Sequence, residues 1–112
     1  MSINKNNQYK KELIANKLGA EEILTAIAEE ASELTQAVLK LRRAYNKLNY
    51  TPKTEADCIQ NVTEEMADLE VSIEILRLCI STDVLRFMDD YKTDIKERKL
   101  ERWFDRLGNN EK

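Results

Sequence analysis

The sequence predicts an all-α fold, an antiparallel helical bundle of about four helices. Three observations predict it. Gly occurs twice and Pro once in 112 residues, too rarely to punctuate a sheet with turns, so long uninterrupted elements are expected. Apolar residues recur at alternating steps of three and four along two long stretches, the spacing of one helix face. The breaks between stretches are short, as in antiparallel bundles.

Taken in order, residues 1–8 are polar and expected to fray. A first helix is expected from about Gln8 to Leu18, with Gly19 at its C-terminal position. The second carries Ile27, Ala31, Leu34, Val38, Leu41, Tyr45 and Leu48 as a core-facing heptad stripe. Residues 46–54 break the pattern, and Thr51-Pro52 reads as an N-cap followed by proline at the first helical position. The third helix carries Ile59, Val62, Met66, Leu69, Ile73, Leu76 and Ile80 in the same rhythm. Ser81-Thr82-Asp83 is a capping stretch for a fourth helix. That helix bears Val84, Met88, Tyr91 and Ile95, then Leu100, Trp103, Phe104 and Leu107, and Gly108 is expected to close it. No linker, low-complexity segment or solenoid repeat interrupts the chain. A single domain over 1–112, with its core at about 20–107, is expected.

Composition narrows the chemistry. The net charge of −3 gives no reason to expect a nucleic-acid polymer as partner. Histidine is absent, which removes Ser-His triads, HExxH zinc sites and the Glu-x-x-His ligands of di-iron bundles. Catalysis must use carboxylates, Lys, Arg, Tyr, Cys or water. Cys58 and Cys79 read as free thiols in a reducing compartment. The opening Met1-Ser2-Ile3-Asn4-Lys5 lacks an apolar signal-peptide core, and no apolar run approaches the ~20 residues of a membrane span. A soluble cytoplasmic protein without a membrane partner is the expectation.

The sharpest chemical signal is a pair of acidic clusters with one spacing, Glu29-Glu30-x-x-Glu33 and Glu64-Glu65-x-x-Asp68. With Ala31 at heptad position a and Leu34 at d, Glu30 falls at g, Glu33 at c and Glu29 at f. With Met66 at a and Leu69 at d, Glu65, Asp68 and Glu64 take the same letters. In an antiparallel helix pair the g positions are neighbours, and a hairpin folding about Asn49 brings the two clusters level. Four carboxylates gathered in this way must bind protons or a cation. An all-oxygen donor set selects a hard ion, Mg²⁺ or Mn²⁺, with Ca²⁺ also admitted. Glu30, Glu33, Glu65 and Asp68 are therefore the candidate metal ligands. Ala26, Ala37 and Ser72 on the same flanks would leave room for a ligand. The alternative is that these are ordinary charged helix flanks. Glu29 and Glu64 are either solvent residues or, for Glu29, a contact to a second metal or a water.

Lys92, Lys96, Lys99 and Arg106 share a face of the last helix, with Arg98 and Arg102 nearby. Beside a metal–carboxylate site, such cations suit a polyphosphate. Interleaved Asp90, Asp94, Glu97, Glu101 and Asp105 leave a solvated, salt-bridged face as the alternative. Lys40 is a further candidate phosphate contact. Tyr91 and Trp103 are expected to pack rather than to stack on bases.

The wording Ile27-Ala28-Glu29-Glu30-Ala31-Ser32-Glu33-Leu34, then Thr63-Glu64-Glu65-Met66-Ala67-Asp68-Leu69, resembles the MazG-like all-α NTP pyrophosphohydrolases, over roughly residues 20–107. Lys99-Leu100-Glu101-Arg102 is similar to the family's basic tail helix. The resemblance implies a four-helix module that hydrolyses (d)NTP to (d)NMP and pyrophosphate with Mg²⁺, as a dimer or tetramer with sites formed partly between subunits. By motif match, Glu30, Glu33, Glu65 and Asp68 hold the metal. Glu29 helps hold a metal or the attacking water, and is the candidate catalytic residue. Lys99 and Arg102 contact phosphates. Where the family often has another polar residue, four past the motif's Asp, this chain has Ser72, so base and sugar choice are not specified. Two rival expectations stand beside this: a non-catalytic helical oligomerisation module, and a relative that binds nucleotides without turnover.

Overall fold

The computed structural model describes residues 3–46 and 54–110. They form three helices, α1 (Ile3–Asn46), α2 (Glu55–Arg77) and α3 (Thr82–Asn110), and no strand occurs among the described residues. The all-α class is therefore right, but the number of helices is three rather than four. The expected first and second helices run together as α1. Their boundary survives as a break: Gly19 has φ 79° and ψ 166° inside an otherwise helical element. That conformation belongs essentially to glycine. The helix begins at Ile3, earlier than the polar composition of its first residues suggested.

The start of α2 corrects a second expectation. Thr54, not Thr51, is the N-cap, and its Oγ1 accepts a hydrogen bond from the Asp57 amide at 3.1 Å. Residues 51 and 52, like the hairpin centre at Asn49, lie outside the described residues. Glu55 and Asp57 then sit in the first turn, where the helix dipole favours acids. Ser81 caps α3 as expected, its Oγ accepting from the Val84 amide at 3.4 Å. Gly108 does not close α3, which continues to Asn110.

The chain divides into two compact units, Met1–Cys79 and Ile80–Lys112. In the first, α1 and α2 form an antiparallel hairpin. Lys11 meets Glu74, Ile23 packs with Ile75, and Glu30 approaches Glu65, so partners descend α2 as α1 ascends. The buried core is small: Ala15, Ile23 and Ile75 form its centre, with Ile27, Leu76 and Cys79 packed around them. Ala37, Ala44 and Cys58 are buried farther along the hairpin.

These burials show which stripe makes the seam. The sequence pointed to positions a and d as the core. The d residues Ile27, Leu34, Leu41, Val62, Leu69 and Leu76 are indeed half-buried. Most a residues are not: Val38, Tyr45, Ile59, Met66 and Ile73 are exposed, while Ala31 and Ile80 are half-buried. Their place is taken by position g, namely Ile23, Glu30, Ala37 and Ala44 on α1 and Cys58, Glu65, Ser72 and Cys79 on α2, all buried or half-buried. Apart from Ile23 and the two Glu, these side chains are small, which favours close approach of the helices.

The second unit is α3. Most of its large apolar side chains, including Phe87, Tyr91, Leu100, Trp103, Phe104 and Leu107, are exposed, so Tyr91 and Trp103 are not buried core residues. Tyr91 stacks on Phe87, with ring centroids 5.9 Å apart and planes 9° from parallel. Both cysteines are free thiols, as expected. Among the described residues no helix is long and apolar enough to cross a membrane.

Candidate functional site

The seam shift carries Glu30 and Glu65 inward. Each occupies the g position that faces the other helix, midway along the hairpin, and each is half-buried. Glu33 stands one turn beyond Glu30, on the exposed flank. One carboxylate oxygen from each of Glu30, Glu33 and Glu65 lies within 4.8 Å of the others. The sequence thus named three residues that the fold brings together, Glu30 and Glu65 from 35 positions apart.

The electrostatics of the trio are unfavourable as it stands. Glu30 Oε2 and Glu65 Oε2 are out of contact with solvent and receive no hydrogen bond. Desolvation is the main reason that both carboxyls titrate above the usual carboxylate range. For Glu30 the charges of Glu33 and Asp68 add to it; for Glu65 the nearness of the Glu33 carboxyl, which favours the protonated form, comes next, then the charges of Glu33, Asp68 and Glu30. Asp68 thus acts on both glutamates, though outside the closest trio. Among the described residues no ion pair reaches Glu30, Glu33, Glu65 or Asp68. The group is a set of oxygen acceptors lacking a positive partner, and a hard cation would satisfy it.

The outer residues separate. Glu29 is exposed, and its charge contributes to raising Glu30, so it belongs to the edge of the cluster. Glu64 accepts a hydrogen bond from Gln60 Nε2 at 3.2 Å. With Asp57, Gln60 and Asn61 it lines a shallow depression of about 330 Å³. The sequence reading passed over Asn61, yet its c position is legible: it stands one heptad before Asp68 on the same flank.

Two expectations about space fail. Ala37 is buried in the seam and leaves no opening. Ser72 is half-buried, and its hydroxyl donates to the Asp68 carbonyl at 3.2 Å, so it serves its own helix.

Lys99 and Arg102 lie on α3, in the second unit, both exposed. The Lys99 ammonium sits 5.7 Å from the centroid of the Trp103 ring, a cation–π contact. Lys96, Lys99, Leu100 and Trp103 line a surface hollow of about 380 Å³. Arg98 is held by Asp94 at 2.9 Å, so part of the basic face is salt-bridged, as the alternative reading of this helix required.

No family model, no curated protein and no solved structure matches the chain.

Proposed function

We propose that this chain is a Mg²⁺-dependent nucleoside triphosphate pyrophosphohydrolase of the MazG-like type, converting (d)NTP to (d)NMP and pyrophosphate. One observation carries the reading: the convergence of Glu30, Glu33 and Glu65, with Asp68 close enough to act on two of them, around buried oxygens that have no donor. Glu30, Glu33, Glu65 and Asp68 would hold the ion. Bound there, Mg²⁺ (or Mn²⁺) would neutralise phosphate oxygens and supply a more acidic water.

The chain's own residues have distinct tasks in this scheme. The four ligands keep the phosphates at the hairpin face. Glu29, at the exposed edge of the cluster, would help hold the attacking water, whose proton goes to Glu29 or Glu64. Lys99 and Arg102 would be the phosphate contacts that the family resemblance implies. The setting would be cytoplasmic, with nucleoside triphosphates rather than a nucleic-acid polymer as substrate, and with a homo-oligomer, dimer or tetramer, as the working form.

Incubation with a panel of NTPs and dNTPs plus Mg²⁺ tests this, with release of NMP and pyrophosphate expected for at least one. Absence of both products across the panel overturns the catalytic reading. A second reading, a helical interaction module, is favoured by the exposed apolar side chains of all three helices. It expects neither turnover nor a stability response to Mg²⁺.

A further inference from the structure

One face of α2 beside the carboxylate cluster carries polar side chains that the metal chemistry does not use. Asp57, Gln60, Asn61 and Glu64 line the shallow depression of about 330 Å³. They belong to two rows at i, i+4 spacing, Asp57–Asn61–Glu65 and Gln60–Glu64–Asp68. Each row starts in the depression and ends on a candidate metal ligand. Asn61 stands four residues before Glu65, about 6 Å along the axis at ~1.5 Å per residue. A ligand held at the cluster by one end has the depression within reach of the other.

The lining selects among ligand groups. The Asp57 and Glu64 carboxylates only accept hydrogen bonds, while the carboxamides of Gln60 and Asn61 both accept and donate. No cation lines the depression, so a phosphate placed there meets two like charges and no partner. No aromatic side chain lines it, so a nucleobase finds no ring to stack on. Asp57 and Glu64 are seven residues apart, about 10 Å along the axis, too far for one hard ion whose oxygens stand ~2.0–2.6 Å away. A neutral group bearing hydroxyls fits, since each hydroxyl can donate to a carboxylate or pair with a carboxamide.

Asn61 is the residue that a plain solvated face does not explain. Asp57 suits the first turn of α2 through the helix dipole, and Glu64 accepts from Gln60 Nε2 at 3.2 Å. Asn61 is half-buried, and its carboxamide has no hydrogen-bond partner among the described residues. Asn is a poor helix former, and short polar side chains inside helices commonly bond the backbone one turn back. Thr63 does so, its hydroxyl donating to the Ile59 carbonyl at 2.8 Å. Asn61 makes no such bond, and its donors and acceptor stay uncommitted at the depression.

We infer that Asp57 and Asn61 bind the sugar hydroxyls of the nucleotide, which makes the chain selective for ribonucleotides over 2′-deoxyribonucleotides. This rests on the proposed nucleotide reading and adds the sugar class to it. With the phosphates on the metal cluster, the sugar is the next group of the substrate, one ester link from the α-phosphorus, and the depression is the next polar site along α2. The Asp57 carboxylate accepts from one hydroxyl of the 2′,3′-diol, as acidic side chains do toward ribose in dinucleotide sites. The Asn61 carboxamide pairs with the other. A 2′-deoxy sugar leaves one of the two without its partner, and a site that bonds a hydroxyl discriminates against the ligand lacking it. Because this site is open to water, the preference is on the order of tenfold rather than the ~10⁴-fold of enclosed sites.

Calorimetric titration of the full chain with Mg²⁺ tests it. The probes are the α,β-methylene analogues of the four ribonucleoside triphosphates, whose α–β bridge resists hydrolysis, each beside its 2′-deoxy counterpart. For the base bound most tightly, wild type is expected to favour the ribo form about tenfold. Asn61→Ala installs the best helix former and is expected to cut that ratio to about threefold or less by weakening the ribo form alone. Asp57→Asn keeps the backbone amide that Thr54 caps and is expected to lower the ratio as well. Equal binding of the two forms by wild type overturns the inference, as does a ratio that both substitutions leave unchanged. Equal weakening of both forms, with loss of the Mg²⁺ stabilisation, assigns the depression to the metal site and overturns it too. Absence of binding by all eight probes overturns it together with the nucleotide reading. Sugar-selective binding without release of NMP and pyrophosphate from the NTP panel supports the inference and overturns the catalytic reading alone.

Discussion

At the scale of single residues, burial and charge act against each other at Glu30 and Glu65. Both carboxyls titrate above their ordinary value of 4.5, desolvation being the leading cause. A carboxyl whose pKa is raised by folding binds its proton more tightly in the native state. Its charge therefore costs stability at pH values above the raised pKa, and this cost is relieved as pH falls through that pKa toward 4.5. Without divalent metal, thermal stability should rise as pH falls from 7.5 toward 5, and Glu65→Gln should raise the melting temperature at pH 7.5 while flattening that profile. A melting series over pH for both proteins checks it. Gly19 makes a second claim at this scale. Its Cβ position is open, with nothing within 4 Å, so substitution meets only backbone strain. With ψ at 166° the residue lies outside the left-handed helical well that Asn tolerates. Gly19→Ala and Gly19→Asn should each cost about 1–3 kcal/mol, with Asn no better than Ala in denaturant unfolding.

At the scale of elements, the question is why the sequence revealed the helices and the cluster but not the seam. The two long heptad repeats and the acidic letters were legible because periodicity is local. The seam was not, because a contains the larger apolar residues and g a mixture of Ala, Cys, Ser and Glu, so ranking by hydrophobicity chose a. The hairpin uses g because small side chains let two helices come close, and no single-helix pattern tells which of two apolar flanks meets the nearer partner. The helix start at Thr54 was missed for a related reason. Thr51-Pro52 is the stronger local signal, but Thr54 is the residue that receives the Asp57 amide. Thr54→Ala should cost about 1 kcal/mol. Ile75 belongs to the cluster with Ala15 and Ile23, so Ile75→Ala should cost about 2–4 kcal/mol. Urea unfolding at fixed protein concentration measures both. A null effect at Ile75 would mean that the segment before Gly19 is not docked on the end of α2.

At the scale of the whole molecule, metal binding and folding are linked. Glu30 and Glu65 are 35 positions apart, so the unfolded chain does not present them together, and an ion that needs both binds only the native state. Mg²⁺ at about 100 times its dissociation constant should then add about 2.7 kcal/mol of stability. Glu33→Gln and Asp68→Asn should lose most of this gain and lower NTP hydrolysis by roughly 100-fold or more. Glu29→Gln separates holding from chemistry. It stands at the edge of the cluster rather than among the converging oxygens, so it should keep the Mg²⁺ stabilisation and lose turnover. Loss of both would move Glu29 into the ligand set; loss of neither would make it a solvated surface residue. Protein concentration must be held constant throughout, because the melting temperature of a self-associating chain rises with concentration. Under that control a shift produced by Mg²⁺ reports the carboxylate cluster.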